Sequence, residues 1–331
     1  MDNMKWTDAW EPAMTAHTTP SSVATPIGFG SVTGVPNLPE GFTGTFRSRF
    51  VTANGLRLHA VTGGQGPALL LLGGWPQTWY AWRFVMPALA RDFSVVAVDP
   101  RGVGLSDKPD SGYDSATLAT DLVALMEELG HPRFAMAGHD IGMWTGYAMA
   151  ADHPGRIERL AVAEAIIPGI SPSPPLLGSR RLSDLLWHFT FNRAHEVNER
   201  LVQGREEIYF GHQFATKAAT PTSIPDYAVQ VYVDTLRDPQ ALRASFDYYR
   251  AIDETIEQSR RRRQHKITIP VLAIGGATAC GDGVEAEMRS VAEDVTGLVI
   301  PDCGHYVPEE APEILLDALT RFLAPYKNAA A

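Results

Sequence analysis

An aspartate set between two glycines is the first feature of this chain that could do chemistry. The stretch is Ala137-Gly138-His139-Asp140-Ile141-Gly142. The run before it, Arg133-Phe134-Ala135-Met136, is short and mostly apolar, as a strand would be. The run after it, Met143 to Ala150, has helical character. A sharp strand-to-helix turn of this kind is a nucleophile elbow. It lifts one side chain clear of the backbone and needs small neighbours on both sides, and its commoner form carries serine. A carboxylate in that position attacks a saturated carbon bearing a strained or departing heteroatom, and leaves an alkyl ester on the protein. Serine would suit carbonyl carbons, so aspartate points to epoxides or carbon–halogen bonds. The competing reading is an ordinary turn in which Asp140 caps the following helix.

The elements around Asp140 must place it. Phe46 to Thr62 reads as a hairpin turning at Ala53-Asn54-Gly55, because Asn-Gly between alternating segments favours a tight turn. Ala68 to Leu72, Ser94 to Val98, Arg133 to Ala137 and Glu158 to Ala163 are short apolar runs. Such runs suit strands buried on both faces of a parallel sheet. The clearest helical pattern between them starts at Ser115, read as its N-cap, and ends at Gly130, with Leu118, Leu122, Leu125 and Leu129 on one face. Strands alternating with helices predict an α/β, mostly parallel, doubly wound sheet. The pattern changes after Pro168. Residues 171–178 have linker composition, and from Leu182 to about Arg263 the chain reads as helices rich in aromatic residues. Strand character returns at Pro270 to Ile274 and Gly297 to Ile300, and a last amphipathic helix covers about Ala311 to Leu323. The expected organisation is an N-terminal extension over 1–40, a core over 41–170 and 264–328, and an inserted all-helical cap over 171–263. The extension is read as a tail on the surface, and the basic run Arg260 to Arg263 as a solvated helix end.

Composition narrows the function. The chain has 331 residues, enough for one large domain or a core with a smaller unit. Its 45% hydrophobic and 20% charged residues are ordinary for a globular protein. A net charge of −10 argues against general nucleic-acid binding. No apolar run reaches the ~18 residues of a membrane span, and the first 25 residues show no apolar signal segment. Cys280 and Cys303 are the only cysteines, too few for a disulfide framework. A cytoplasmic location is therefore expected.

Four stretches, each at a strand end and in the right order, carry a resemblance: Gly73-Gly74-Trp75-Pro76, Asp99-Pro100-Arg101-Gly102-Val103-Gly104-Leu105-Ser106, the Asp140 elbow, and Gly304-His305. From about Gly41 to Tyr326 the chain resembles the α/β-hydrolase superfamily in its epoxide hydrolase and dehalogenase branch. Within it, Asp140-Ile141-Gly142, Trp187-His188-Phe189, Ser245 to Arg250, and Cys303-Gly304-His305 followed by Pro308-Glu309-Glu310 resemble the group of the cystic fibrosis transmembrane conductance regulator inhibitory factor. That relative is exported, and its biological role is not carried over. The resemblance implies the α/β-hydrolase fold and a set of roles. Asp140 would be the nucleophile and His305 the base that activates water to hydrolyse the ester. An orienting carboxylate is needed behind the base. Glu164, after the Glu158 to Ala163 strand, and Asp282, in the loop after the Pro270 to Ile274 strand, both qualify; the spacing from Asp140 favours Glu164. His188 and Tyr249 match the ring-opening pair, and Tyr248 is read as packing because neighbours on a helix point about 100° apart. Backbone N–H groups of Trp75 and Ile141 would hold the ester oxygen. Gly73-Gly74 replaces the usual His-Gly, which preserves the donors but leaves the loop less firmly held.

The expected function is an epoxide hydrolase, which opens an epoxide to a vicinal diol. A dehalogenase of the same fold is the alternative. Against it, Ile141 stands where haloalkane dehalogenases place Trp. Ile141 and Trp144 also stand where fluoroacetate dehalogenases place Arg. A non-catalytic binding protein is the third reading, and it predicts a broken constellation. The expected partners are a small apolar epoxide and water, with no nucleic acid or membrane; a homodimer is compatible with this reading. No phosphate loop, zinc spacing or dinucleotide fingerprint appears, so no cofactor or metal is expected.

Overall fold

The apolar runs become strands β1 (Arg47–Ala53), β2 (Leu56–Gly63), β3 (Ala68–Leu72), β4 (Ser94–Asp99), β5 (Phe134–His139), β6 (Ile157–Ala163), β7 (Val271–Gly276) and β8 (Val295–Ile300). This is a computed structural model, and it describes residues 25–173, 175 and 178–329. The strands form one eight-stranded sheet in the order β1-β2-β4-β3-β5-β6-β7-β8. β1 pairs antiparallel with β2 and β2 with β4, and the remaining pairs are parallel. The hairpin turns at Asn54 and Gly55, whose φ values of 47° and 75° give the left-handed pair that such a turn needs.

Period-two alternation divides β3 between two cores. Leu70 and Leu72 pack on one face with Leu118, Leu122, Met143 and Leu160. Leu69 and Leu71 pack on the other with Trp79, Trp82, Leu315 and Leu319. The first face is covered by α3 (Ser115–Glu128), α4 (Ile141–Asp152) and α11 (Gly283–Val291), whose apolar residues join that cluster. The second face carries α13 (Pro312–Ala329), with α1 (Phe42–Thr45) and α2 (Met86–Leu89) contributing to its cluster. α12 (Val307–Glu310) precedes α13. Between β6 and β7 the described residues form helices and no strand: α5 (Arg180–Asn192), α6 (Val197–Val202), α7 (Glu206–Lys217), α8 (Asp226–Thr235), α9 (Pro239–Arg250) and α10 (Ile252–Arg262). This is the expected α/β-hydrolase fold.

Several local expectations are corrected. α3 is capped by Asp114, whose carboxylate accepts from the N–H groups of Ala116 and Thr117. Ser115 is already helical, and its hydroxyl bonds Gln258 on α10. The last helix continues to Ala329, with Pro325 inside it. Arg262 is not a solvated helix end. It is buried, pairs with Asp152 at the end of α4 and bonds the Ser115 hydroxyl, whereas Arg260, Arg261 and Arg263 are exposed. Of the presumed surface tail, residues 1–24 lie outside the described residues, as do 174, 176 and 177 of the linker. Residues 25–40 are partly buried: Ser31 and Val32 are inside, and the Gly30 carbonyl accepts from the Trp79 indole at 2.8 Å.

Candidate active site

Asp140 sits at the junction of β5 and α4 with φ 55° and ψ −117°. A positive φ at a non-glycine residue is uncommon and costs conformational energy, so the surroundings must impose it. They do so by crowding. A Cβ on Gly138 would lie 2.3 Å from the Gly142 carbonyl oxygen, and one on Gly142 would lie 2.5 Å from that of Leu72. The Asp140 side chain makes no capping hydrogen bond to α4. Instead Oδ1 accepts from the Trp75 N–H at 3.0 Å, and Oδ2 lies 3.3 Å from His305 Nε2. The Ile141 N–H, at the start of α4, makes no hydrogen bond to this carboxylate.

His305 follows β8, and its Nδ1 lies 3.4 Å from Glu164 Oε2. Glu164 directly follows β6, has a φ of 57° and is only 1% exposed. Its Oε1 accepts from the backbone N–H groups of Gly276 at 2.5 Å and Cys280 at 3.2 Å. The loop after β7 therefore supplies donors to Glu164. Asp282, in that same loop, is exposed and bonds neither His305 nor Glu164. Burial alone would raise the Asp140 pKa. The hydrogen bond and charge of His305 outweigh it and hold the carboxyl well below the usual range. Burial pulls His305 down, but hydrogen bonds to Asp140 and Glu164 and their charges lift it to about 9. Asp140 and His305 thus rest as an ion pair.

His188 on α5 is buried and stacks on Trp75, with ring centroids 5.5 Å apart. Tyr249 on α9 packs edge-on against both His188 and Trp75. Burial, and then Lys217, hold the His188 pKa well below 6.5, so its imidazole is neutral. Burial, and then the Asp140 charge, raise Tyr249 well above 10, so its phenol is a neutral donor. Tyr248 points elsewhere, donating to the Arg101 carbonyl at 2.6 Å.

Three further residues belong to this neighbourhood. Lys217, the last residue of α7, lies 3.1 Å from His188 Nε2 through Nζ and 5.1 Å from the Trp75 ring centroid. No motif marks it, because a basic residue at a helix C-terminus is ordinary. His139 bonds the His305 carbonyl through Nε2 at 2.7 Å. A carbonyl only accepts, so this nitrogen carries the proton, and burial, then His305, hold the ring neutral with a pKa of about 4. Glu310 on α12 accepts from the N–H groups of Gly304, Tyr306 and Ala219. One carboxylate thereby ties the His305 loop to the segment after α7. Beside Trp75 and Ile141 lies a narrow cavity of about 40 Å³, also lined by Pro76, Thr145, Leu236 and Tyr248. It flanks the Asp140 carboxylate rather than covering it, since Asp140, His188 and His305 do not line it.

Known proteins share this arrangement of chain. A family described as alpha/beta hydrolase fold matches residues 67–312. A soluble epoxide hydrolase from Corynebacterium sp. (strain C12) is 35% identical over 83% of this chain and 96% of its own. A fluoroacetate dehalogenase from Burkholderia sp. is 34% identical over 70% of this chain and 78% of its own. Among solved structures, Cfl2 from Burkholderia cenocepacia superposes with a TM-score of 0.80 at 39% identity, covering 84% of this chain and 96% of that one.

Proposed function

The chain belongs to the α/β-hydrolase fold family and its epoxide hydrolase branch, and from that premise we propose that it hydrolyses epoxides to vicinal diols through an ester on Asp140. One observation carries the reading: His305 bridges Asp140 at 3.3 Å and Glu164 at 3.4 Å while the Trp75 N–H holds the other Asp140 oxygen at 3.0 Å. In the first half, Oδ2 attacks an epoxide carbon as the ring C–O bond breaks. His188 and Tyr249 face the departing oxygen, and Tyr249 has a proton to give. In the second half, Oδ1 is the ester carbonyl oxygen, held by Trp75 and, as charge develops on it, by the Ile141 N–H. Esterification removes the Asp140 charge. The imidazolium loses its nearest partner, its pKa falls and it releases its proton to solvent, so that the neutral ring can take a proton from the attacking water. Glu164 orients the ring and balances its charge. Water oxygen adds to the ester carbon, the bond from that carbon to the diol oxygen breaks, that oxygen takes the proton back from His305, and the diol departs, leaving Asp140 as a carboxylate.

The six helices from α5 to α10 act as a cap, with 171–263 as its span and 41–170 and 264–328 as the core. Their support is that His188, Tyr249 and Lys217 all come from this insertion. The apolar cavity beside Trp75 supports a small apolar substituent on the epoxide. Free cysteines Cys280 and Cys303 support a reducing, cytoplasmic setting. Among the described residues, no helix is long and apolar enough to cross a membrane.

The dehalogenase reading has the fluoroacetate dehalogenase likeness in its favour. Against it, Ile141 and Trp144 are buried where paired arginines would hold a haloacid carboxylate, and the Trp144 indole donates to the Ile166 carbonyl. Intact mass separates the two. His305→Gln should stall at the ester. An epoxide such as 1,2-epoxyoctane then adds its whole mass, whereas a haloacid adds its mass less HX. Adducts from chloroacetate or fluoroacetate but not from epoxides would move the function to dehalogenation.

A further inference from the structure

An ammonium without a carboxylate partner lies in the aromatic box beside the nucleophile. Among the described residues, the Lys217 side chain bonds only His188, and Trp75 presents its ring at 5.1 Å. Lys217 is half-buried, and its Nζ contacts a histidine that is 3% exposed. Burying a charge without a partner is costly, and an aromatic face offsets little of it. Resting on the epoxide hydrolase reading of the site, we propose that Lys217 is a third ring-opening group: its ammonium meets the departing epoxide oxygen and protonates it.

The geometry of His188 carries the argument. Lysine has only donors while charged, so in the 3.1 Å contact His188 Nε2 accepts. The neutral imidazole then carries its own proton on Nδ1, which is buried on the side of the Leu185 backbone and has no side-chain partner among the described residues. On this side of the site the transferable proton belongs to Lys217. An oxygen within reach of His188 Nε2 is within reach of the ammonium too. As Asp140 Oδ2 forms its bond to carbon, the ring C–O electron pair moves to oxygen. Lys217 gives that oxygen a proton and becomes a neutral amine, which water reprotonates before the next turnover.

Burial lowers the Lys217 pKa to about 8 against the opposing pull of Asp140. It is charged near neutrality, yet far more acidic than free lysine. The charges that register on it are those of Asp140 and His139 from the core and His188 from the insertion, with Tyr249 packed on His188 beside it. The His305 N–H donates to the Lys217 carbonyl. In a His305→Gln background none of the others should give a rate that falls near pH 8. His139 and His188 are neutral and Tyr249 titrates well above 10. Asp140 loses the hold of His305, but ionisation of an attacking carboxylate makes the rate rise with pH, opposite to the limb expected of Lys217.

The test measures ester formation from 1,2-epoxyoctane by rapid quench and intact mass, comparing His305→Gln with the same chain carrying Lys217→Met or Lys217→Arg. Lys217→Met should slow ester formation by about a hundredfold. The His305→Gln parent should lose rate as pH rises through about 8, because the amine form has no proton to give. That limb should vanish in both Lys217 variants. Lys217→Arg keeps the cation but holds its proton, so it should retain part of the rate. With His305 intact, Lys217→Met should break down its ester at the wild-type rate. Unchanged ester formation, equal slowing of both halves, or a surviving limb near pH 8 in Lys217→Met would overturn the assignment. So would a loss confined to glycidate, an epoxide bearing a carboxylate, which would make Lys217 a substrate-anion anchor. If His305→Gln forms no ester with any epoxide, the hydrolase reading itself falls. Ester formation indifferent to Lys217 overturns this proposal alone.

Discussion

His305 faces two carboxylates with different duties. In the proposed reaction Asp140 loses its charge, while Glu164 keeps its own throughout. Only Glu164 can therefore steady the imidazolium that forms when water is deprotonated. Its donors reinforce this: the Gly276 and Cys280 N–H groups fix Oε1, leaving Oε2 aimed at His305 Nδ1. Asp282 carries none of this, since it stands exposed at the start of α11. Glu164→Gln should therefore cut turnover by about a thousandfold or more, because the amide presents no charge and can favour the wrong tautomer. Asp282→Asn should stay within about twofold of wild type. Epoxide turnover at equal folded fraction, verified by near-UV circular dichroism, makes the comparison, and equal losses would transfer the role.

At the scale of elements, the loop after β3 shows why the second residue of Gly73-Gly74 must be glycine. A Cβ on Gly74 would lie 2.3 Å from Asp140 Cβ and 2.9 Å from the His139 carbonyl oxygen. The loop can press the Trp75 N–H onto Asp140 only if residue 74 has no side chain. The loop is also held, by a 2.7 Å bond from the Gln77 N–H to the Gly74 carbonyl. The weaker grip expected from Gly73 thus has a counterweight. Gly74→Ala should push Trp75 away from Asp140 Oδ1 and lower ester breakdown by about a hundredfold, with a far smaller change in thermal midpoint. A large thermal loss with normal turnover per folded molecule would contradict that placement. Much of this was legible in the sequence. The elbow, the strand-end motifs and the helical insertion each leave a local pattern of small, apolar or aromatic residues. Lys217 and Glu310 left none, because Lys217 meets His188 and Trp75, and Glu310 joins Ala219 to the loop after β8, only once the chain is folded. The cap of α3 was misplaced by one residue because Asp114 and Ser115 are both good caps, and backbone angles decide between them. Arg262 was misread because a run of arginines looks solvated until α4 supplies Asp152.

For the whole molecule, the question is what holds the two parts in register so that His188, Tyr249 and Lys217 meet Asp140. Arg83 answers much of it. It follows the short helical turn Trp79–Trp82 after the loop bearing Trp75. Its guanidinium makes a two-pronged pair with Glu309 of α12, at 2.7 and 2.8 Å, with both side chains fully buried. Tyr232 of α8, in the insertion, donates its hydroxyl to the same carboxylate. One ion pair therefore joins the loop bearing Trp75, the segment after His305 and the helical insertion. A buried pair adds little net stability over an apolar replacement, but losing one partner strands a charge. Arg83→Met should therefore destabilise the protein by about 3–5 kcal/mol. Arg83→Met with Glu309→Met should recover a substantial part of that loss, since no charge is then left buried. Urea midpoints at constant m-value measure both. Activity should separate the two effects. The double variant should refold yet turn over epoxide poorly, because its three tethered segments no longer share an anchor. A double variant less stable than Arg83→Met alone would show that the pair contributes net stability. One with wild-type turnover would show that the register of the insertion is set elsewhere.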